Sequence, residues 1–461
     1  MSQATPAGEL GRVHFIAIGG AGMSGIARIM LRRGIEVSGS DARDSELLTQ
    51  LGELGAKVFV GHDAGHLADA DTVVVSSAIR ESNPELAAAR ERGLRVLHRS
   101  EALAALMAGR RAVAVAGTHG KTTTTSMLTV ALQHAGADPS YCIGGQLVTT
   151  GLGADEGTGD VFLAEADESD GSFLRYTPYL AIVTNVEADH LDNFGGFEKV
   201  KENFAAFVDR IEPGGILVAG IDDPVARELA VAAAARGVTV RTYGEAADAD
   251  LRVTGFTPRG LGSSFEIDTL GQVELTVPGR HNALNATAAV AAALALGHDF
   301  TAVRDGLAMF GGAMRRLELK GEVAGVQVFD SYAHHPTELT ADLEATRDYA
   351  GERGRIVAVF QPHLYSRTRF FAAEFGMALG LADVAVVLDV YGAREDPEPG
   401  VTGQLIADAV PAGTAQVVYE PDLGAVPARV ASLTRPGDIV ITLGAGDVTK
   451  LGPFILERLG T

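Results

Sequence analysis

Cysteine is nearly absent: Cys142 is the only one in 461 residues. A lone thiol cannot close an intramolecular disulfide, and no cysteine-based zinc cluster can be assembled from it. That poverty fits the reducing cytoplasm, the compartment expected here. Basic residues are also scarce, 38 Lys and Arg against 59 Asp and Glu, for a net charge of −21. Such a balance excludes a large nucleic-acid face and leaves any anion binding to local basic clusters. No stretch runs free of charge or glycine long enough to span a bilayer. Residues Met1–Arg12 lack the charged-then-apolar pattern of a secretory signal. Short-period repeats are missing as well. Neither a nucleic-acid partner nor membrane insertion is expected, and the chain is read as a monomer or homodimer.

What is present is apolar material for several cores, with hydrophobic residues at 46%. At roughly 150 residues per domain, the length suggests about three. Short β-branched runs alternate with helical patterns. Strands are expected at His14–Ile18, Glu36–Ser40, Thr72–Ser76, Ala112–Ala116, Val161–Glu165 and Leu180–Thr184. Four more are expected at Val326–Phe329, Arg355–Phe360, Val384–Leu388 and Asp438–Thr442. Helices are expected at Met23–Arg33, from Thr122 onward, at Val231–Arg236 and at Ala286–Leu296. This alternation argues for βαβ units and parallel sheets. The architecture is α/β, three domains in series over 1–108, 109–313 and 314–461.

The sharpest local signal is Gly117-Thr118-His119-Gly120-Lys121-Thr122-Thr123, between a strand and a helix. Glycines let backbone N–H groups turn toward phosphate oxygens, and the helix start adds positive potential. Lys121 would meet the β- and γ-phosphates of a nucleoside triphosphate, and the Thr122 hydroxyl would ligate Mg²⁺. Gly117 lies three residues before Gly120, shorter than the usual P-loop spacing. Two further strand ends carry acid. Val161–Glu165 delivers Glu165, Asp167, Glu168 and Asp170, and Leu180–Thr184 leads into Asn185-Val-Glu187-Ala-Asp189-His190. Open α/β sheets bind ligands at this edge, and carboxylates there suit Mg²⁺, which prefers hard oxygen ligands. His190 could ligate a second cation or orient a phosphate.

A second glycine turn, Gly20-Ala-Gly22-Met-Ser-Gly25, follows the first strand, and Asp41 ends the next one. Alone, this is the fingerprint of a dinucleotide-binding dehydrogenase. The same helix start can equally cradle the diphosphate of a UDP-sugar.

Taken in order, these motifs resemble the Mur ligases of bacterial cell-wall synthesis. The likeness runs through Gly19–Gly25, Gly117–Thr123, Glu165–Asp170 and Thr184–His190. It continues through Gly279–Asn285 (Gly-Arg-His-Asn-Ala-Leu-Asn), Arg315–Gly321, Tyr332–Pro336 and Gln361–Arg369. The resemblance implies a Rossmann-like UDP-sugar domain, a central P-loop ATPase-like domain, and a Rossmann-like C-terminal domain that closes over ATP and an amino acid. It implies ATP and Mg²⁺ as cofactors, with UDP-N-acetylmuramate and L-alanine as substrates. The muramyl carboxylate would be activated as an acyl phosphate, which the amine of L-alanine then attacks.

Residue by residue, the resemblance puts Lys121, Glu165, His190 and Arg316 in catalysis, with Thr122, Glu165 and His190 on metal. Gly117 through Thr123, His281, Asn282, Asn285 and Asp330 would bind ATP. Gly19, Gly20, Gly22, Met23, Ser24, Gly25, Asp41, Ser76, Ser77 and Arg99 would bind the UDP-sugar. His335, His363 and Arg367 would face the amino acid. Three departures stand out. Ser331 replaces a second Asp, Leu364 replaces a basic residue, and Glu202-Asn203-Phe204 stands where sister ligases carry a carbamylated lysine, which is therefore not expected. Competing readings are a ligase that attaches a whole peptide to the UDP-sugar, a nicotinamide-dependent oxidoreductase, and a catalytically idle sensor.

Overall fold

The computed structural model describes residues 5–189, 194–351 and 354–460. They form two compact units, 1–253 with 267–271 and 284–310, and 254–266 with 272–283 and 311–461.

The first unit holds two sheets. In one, β1 (Val13–Ile16), β2 (Val37–Asp41), β3 (Lys57–Val60), β4 (Thr72–Val75) and β5 (Arg95–His98) run parallel in the order β3-β2-β1-β4-β5. All four residues of β1 are buried, as a parallel strand covered on both faces requires. The order reverses between β1 and β4, the switch point at which such sheets take ligands. The glycine turn leaves β1 there, and Ser76 and Ser77 leave β4.

The other sheet contains β6 (Arg111–Ala116), β7 (Ser140–Cys142), β8 (Ala154–Asp155), β9 (Val161–Glu165), β10 (Leu180–Val183), β11 (Ile216–Gly220) and β12 (Thr239–Gly244). Within this unit they stand in the order β12-β11-β10-β6-β9-β7-β8. Only β7 and β8 are antiparallel. The two sheets share one apolar cluster, in which Phe15, Met23 and Ala27 join Cys142, Ala154 and Phe162. Gly25 makes the close approach possible. A Cβ at this position would stand 3.0 Å from the Ala154 Cβ and 3.6 Å from the Cys142 sulfur.

In the second unit, β16 (Glu318–Val323), β17 (Val326–Ser331), β18 (Ile356–Phe360), β19 (Val384–Val387), β20 (Gln416–Tyr419) and β21 (Ile439–Leu443) form a sheet in the order β16-β17-β21-β18-β19-β20. It is parallel except for β16 with β17. Separate apolar clusters contain Phe329, Phe360 and Phe375, and Val328, Val359 and Val440. These residues alternate along β17 and β18, so the two clusters cover opposite faces.

The expected strands appear within one or two residues of their sequence-based bounds. Helix starts are earlier than the alanine-rich stretches suggested: the helices span Pro224–Ala235 and Arg280–Ala295. Asp223 caps the first, accepting from the Ala226 N–H at 2.7 Å, with Pro224 in its first turn. β3, β5, β7, β8, β11, β12, β16 and β20 do not stand out in the sequence, nor do β13 (Leu251–Arg259), β14 (Gly262–Ile267) and β15 (Gly271–Leu275). Among the described residues, no helix is long and apolar enough to cross a membrane.

Candidate functional site

β6 ends at Ala116 and the helix Lys121–His134 begins five residues on. The turn between them requires glycine twice. Gly117 has φ +140°, and a Cβ on it would lie 1.9 Å from the Thr184 hydroxyl oxygen. Gly120 has φ +83°, and its Cβ would lie 2.4 Å from Oδ1 of Asn285. The turn is clasped from β10. Asn185 Oδ1 accepts from the His119 N–H at 2.8 Å, and its Nδ2 donates to the His119 carbonyl at 3.2 Å. Thr184 donates to the same carbonyl at 2.6 Å, and Thr118 Oγ1 accepts from the Glu187 N–H at 2.8 Å. On the helix side, Thr124 donates to Asn285 Oδ1 at 3.2 Å. Asn285 thus buttresses the loop.

Lys121 folds over this turn. Its Nζ donates to the carbonyls of Gly117 at 2.6 Å and Thr118 at 3.0 Å, and to Glu168 at 2.9 Å. Burial disfavours the ammonium, but Glu168, Glu165 and Asp167 together hold its pKa above the ordinary value. Burial pushes the Glu168 carboxyl up to about 7, against the pull of Lys121. Glu168 was not singled out from the sequence, where nothing separates it from Asp167 and Asp170. It is the acid that turns inward, 4% exposed in its side chain.

Thr122 and Glu165 also converge. Thr122 Oγ1 donates to Glu165 Oε1 at 3.0 Å, and Oε2 accepts from the Gly144 N–H at 2.7 Å. β9 lies directly beside β6, pairing Glu165 with Val115. A hydroxyl and a carboxylate beside a phosphate loop form a hard-oxygen donor set, so the residues present fit Mg²⁺. Thr123 is buried in the first helical turn. His190 lies outside the described residues.

At the switch point of the first sheet, the helix Ala21–Arg32 opens at Gly20 with no side-chain cap, leaving N–H groups for a ligand. Asp41 braces the turn, accepting from the Gly19 N–H at 3.0 Å. Met23 is 3% exposed and Ser24 8%, and the N–H groups of both donate to the Gly20 carbonyl, at 2.9 and 2.8 Å. Gly25 serves packing, as described above. Arg99 reaches the turn from the start of the helix Arg99–Met107: its Nη1 lies 3.3 Å from where a Gly22 Cβ would be.

The second unit gathers the remaining expected residues into two groups. Arg315 and Arg316 both lie over the Tyr332 ring, at 4.8 and 5.5 Å. Arg316 is 3.7 Å from Glu338. Burial, reinforced by Arg316, lowers the His281 imidazole to about 4 and keeps it neutral. Asn282 Nδ2 donates to the Pro278 carbonyl at 2.7 Å. Asp330 is fully buried. It accepts from Thr442 and Thr449, both at 2.7 Å, and from Arg315 at 3.2 Å. As placed, it anchors Arg315 rather than facing outward.

The second group is His334, His363, Arg367 and Tyr391. His363 meets His334 edge-on at 5.8 Å, stacks on Tyr391 at 5.9 Å, and lies 3.3 Å from Arg367 through Nδ1. His334 was not anticipated. His335, which was, caps the helix Pro336–Ala350 by accepting from the Thr337 N–H at 3.4 Å, and packs edge-on against Phe371 at 5.0 Å. Adjacent histidines before Pro336 are indistinguishable in sequence, and the cap position decides which one turns inward. Ser331, a departure from the family pattern, is buried and donates to Asp342. Leu364 is 4% exposed.

Comparison with known proteins bears on the whole chain. Residues 12–111 match the Mur ligase family catalytic domain, 115–293 the Mur ligase middle domain, and 315–446 the Mur ligase glutamate ligase domain. The sequence is 60% identical to UDP-N-acetylmuramate–L-alanine ligase of Thermobifida fusca, over 98% of this chain and 97% of that one. The fold is similar to the crystal structure of UDP-N-acetylmuramate–alanine ligase from Thermotoga maritima. The TM-score is 0.80 at 28% identity, covering 97% and 98% of the two chains. A murein peptide ligase from Psychrobacter arcticus scores 0.69 at 26% identity, covering 98% and 99%.

Proposed function

The chain belongs to the Mur ligase family, and on that premise we propose that it joins L-alanine to the carboxylate of UDP-N-acetylmuramate at the expense of ATP. The product is UDP-N-acetylmuramoyl-L-alanine, with ADP and phosphate released, a step of peptidoglycan synthesis. A carboxylate is a poor acyl donor, because its charge and resonance resist attack. Transfer of the γ-phosphoryl group to a carboxylate oxygen gives an acyl phosphate whose phosphate leaves readily. The free amine of L-alanine attacks the acyl carbon, loses a proton, and expels phosphate.

In this reading, the backbone from Gly117 to Thr123 cradles the triphosphate and Lys121 offsets charge on the transferring phosphoryl. Thr122 and Glu165 would hold Mg²⁺, with His190 assigned to a second ion. Bound Mg²⁺ would supply a Lewis acid that neutralises phosphate charge. Asn285 supports the loop. His281, Asn282 and Asp330 are assigned to nucleotide recognition and Arg316 to phosphate charge. The glycine helix at Gly20 takes the UDP diphosphate, with Asp41, Ser76, Ser77 and Arg99 around it. His335, His363 and Arg367 are assigned to the amino-acid side of the site, joined by His334, which meets His363 edge-on. The cytoplasm is the fitting compartment for such an enzyme, and the lone thiol supports it.

One observation carries the reading: Lys121, Thr122 and Glu165 converge at adjacent strand ends around a glycine turn that a Cβ would block. The test is phosphate release from ATP with UDP-N-acetylmuramate and a panel of amino acids and a tripeptide. Release should require the muramyl compound and L-alanine together. Release supported by the tripeptide instead would overturn the assignment in favour of the peptide-adding reading.

A further inference from the structure

Arg99 splits its guanidinium between two places. Nη2 donates to Asp167 Oδ2 at 2.8 Å, while Nη1 lies 3.3 Å from where a Cβ on Gly22 would stand. Asp167 is itself fixed, accepting from the Ser169 N–H at 3.0 Å through its other oxygen. It belongs to the acidic loop whose neighbours are Glu165, beside Thr122, and Glu168, on Lys121. A planar two-pronged donor gripped on one side presents its other side in a set direction, which a lysine could not do.

We propose that Asp167 is a positioning residue that aims Arg99 at the diphosphate of the sugar nucleotide, so that the acidic loop beside the phosphate turn also serves the other substrate. This rests on the functional reading above. The ion pair links two binding regions through one rigid group. Order imposed on the acidic loop by ATP then steadies Arg99, and sugar-nucleotide binding steadies the loop in return, because linkage between two ligands is reciprocal. The alternative is a plain tether between β-sheet layers of the same unit. Such a tether would contribute to stability and not to affinity.

The test is calorimetric titration of UDP-N-acetylmuramate, without ATP, into the full chain and the variants D167N, R99A, R99K and R99A/D167N, with thermal melting alongside. Wild type should bind. D167N should bind about tenfold more weakly, in the range of measured coupling between sites. R99A should bind more weakly still, and the double variant no more weakly than R99A, since Asp167 acts only through Arg99. R99K, which keeps the charge without the fork, should fall between wild type and R99A, and it carries the test if D167N does not fold. Wild-type affinity in D167N or R99K, or additive losses in the double variant, would overturn the inference. So would a fall in melting temperature with affinity unchanged. A wild-type chain that binds no sugar nucleotide would instead sink the functional reading, and this inference with it.

Discussion

The two glycine turns of the first unit are built on one local plan and differ in what surrounds them. Each follows a buried parallel strand and opens a helix with no side-chain cap hydrogen bond, a setting that favours an anion. At Gly19–Gly25 the backbone is held by one carboxylate, Asp41, and Gly20 has φ −64°, a conformation open to any residue. At Gly117–Thr123 the turn is clasped by Thr184, Asn185 and Asn285 and crossed by Lys121. Backbone geometry therefore gives an anion cradle in both places. The side chains brought in by neighbouring strands make only one of them suited to moving a phosphoryl group.

The comparison breaks first at Lys121. Replacing it by alanine should reduce phosphate release by about a hundredfold to a thousandfold, the scale at which removing a charge-stabilising group acts. Affinity for UDP-N-acetylmuramate, measured by titration, should hold. Equal loss of both would mean that the two cradles are not separable. Next comes a matched pair of glycine substitutions. G117A forces a Cβ to within 1.9 Å of the Thr184 oxygen, and should weaken ATP binding by about a hundredfold through strain and displacement. In G20A the nearest atom is 3.4 Å away, at the Ala17 carbonyl, and sugar-nucleotide affinity should change by no more than about threefold. Comparable losses in the two variants would remove the distinction.

A smaller effect is expected at Glu168. In E168Q the Lys121 ammonium keeps its two carbonyl partners but loses its buried counter-charge, and kcat/KM for ATP should drop about tenfold, just under the smallest coupling measured for close charge pairs. Unchanged kinetics would make Glu168 a bystander. The mildest effect at working pH lies beneath the first cradle. Glu85 is buried and accepts from Ser40 at 2.6 Å, with His62 and His66 each at 2.9 Å. Burial alone would raise its pKa, but His14, Ser40, His66 and His62 hold it down at about 2. A depressed carboxyl stabilises the folded chain above its unfolded pKa, and that stability drains away as pH falls from about 4.5 toward 2. Urea melts at pH 7 and pH 3 should show the loss, and E85Q should flatten it. An unchanged slope in E85Q would assign the acid sensitivity elsewhere.

Much of this was legible in the sequence. Buried parallel strands write themselves as continuous apolar runs, so β6, β9, β10 and β18 could be located by eye, and the phosphate turn announces itself through Gly117, Gly120 and Lys121. Exposed and irregular strands do not. Leu251–Arg259 has alternating burial that fades into solvent toward Arg259, and its threonines and glycine read equally as loop. Side-chain pairing across long stretches was hidden too. Lys121 meets Glu168 across 47 residues, and the run Asp167-Glu168-Ser169-Asp170 gives no hint of which acid turns inward. Asp330 was recognised as important but not as buried, because the threonines that enclose it come from Thr442 and Thr449, more than a hundred positions away.

Cys142 illustrates how a packing detail reaches into practice. Its sulfur sits in the closely packed layer opened by Gly25, and burial, aided by Glu165, pushes the thiol up to about 12. A thiol kept protonated and shielded is a poor nucleophile toward alkylating reagents. The native chain should therefore serve as a background low in reactive sulfhydryls, which thiol titration of the folded chain would check. Fluorophores or spin labels can be attached at newly introduced surface cysteines without first deleting the natural one.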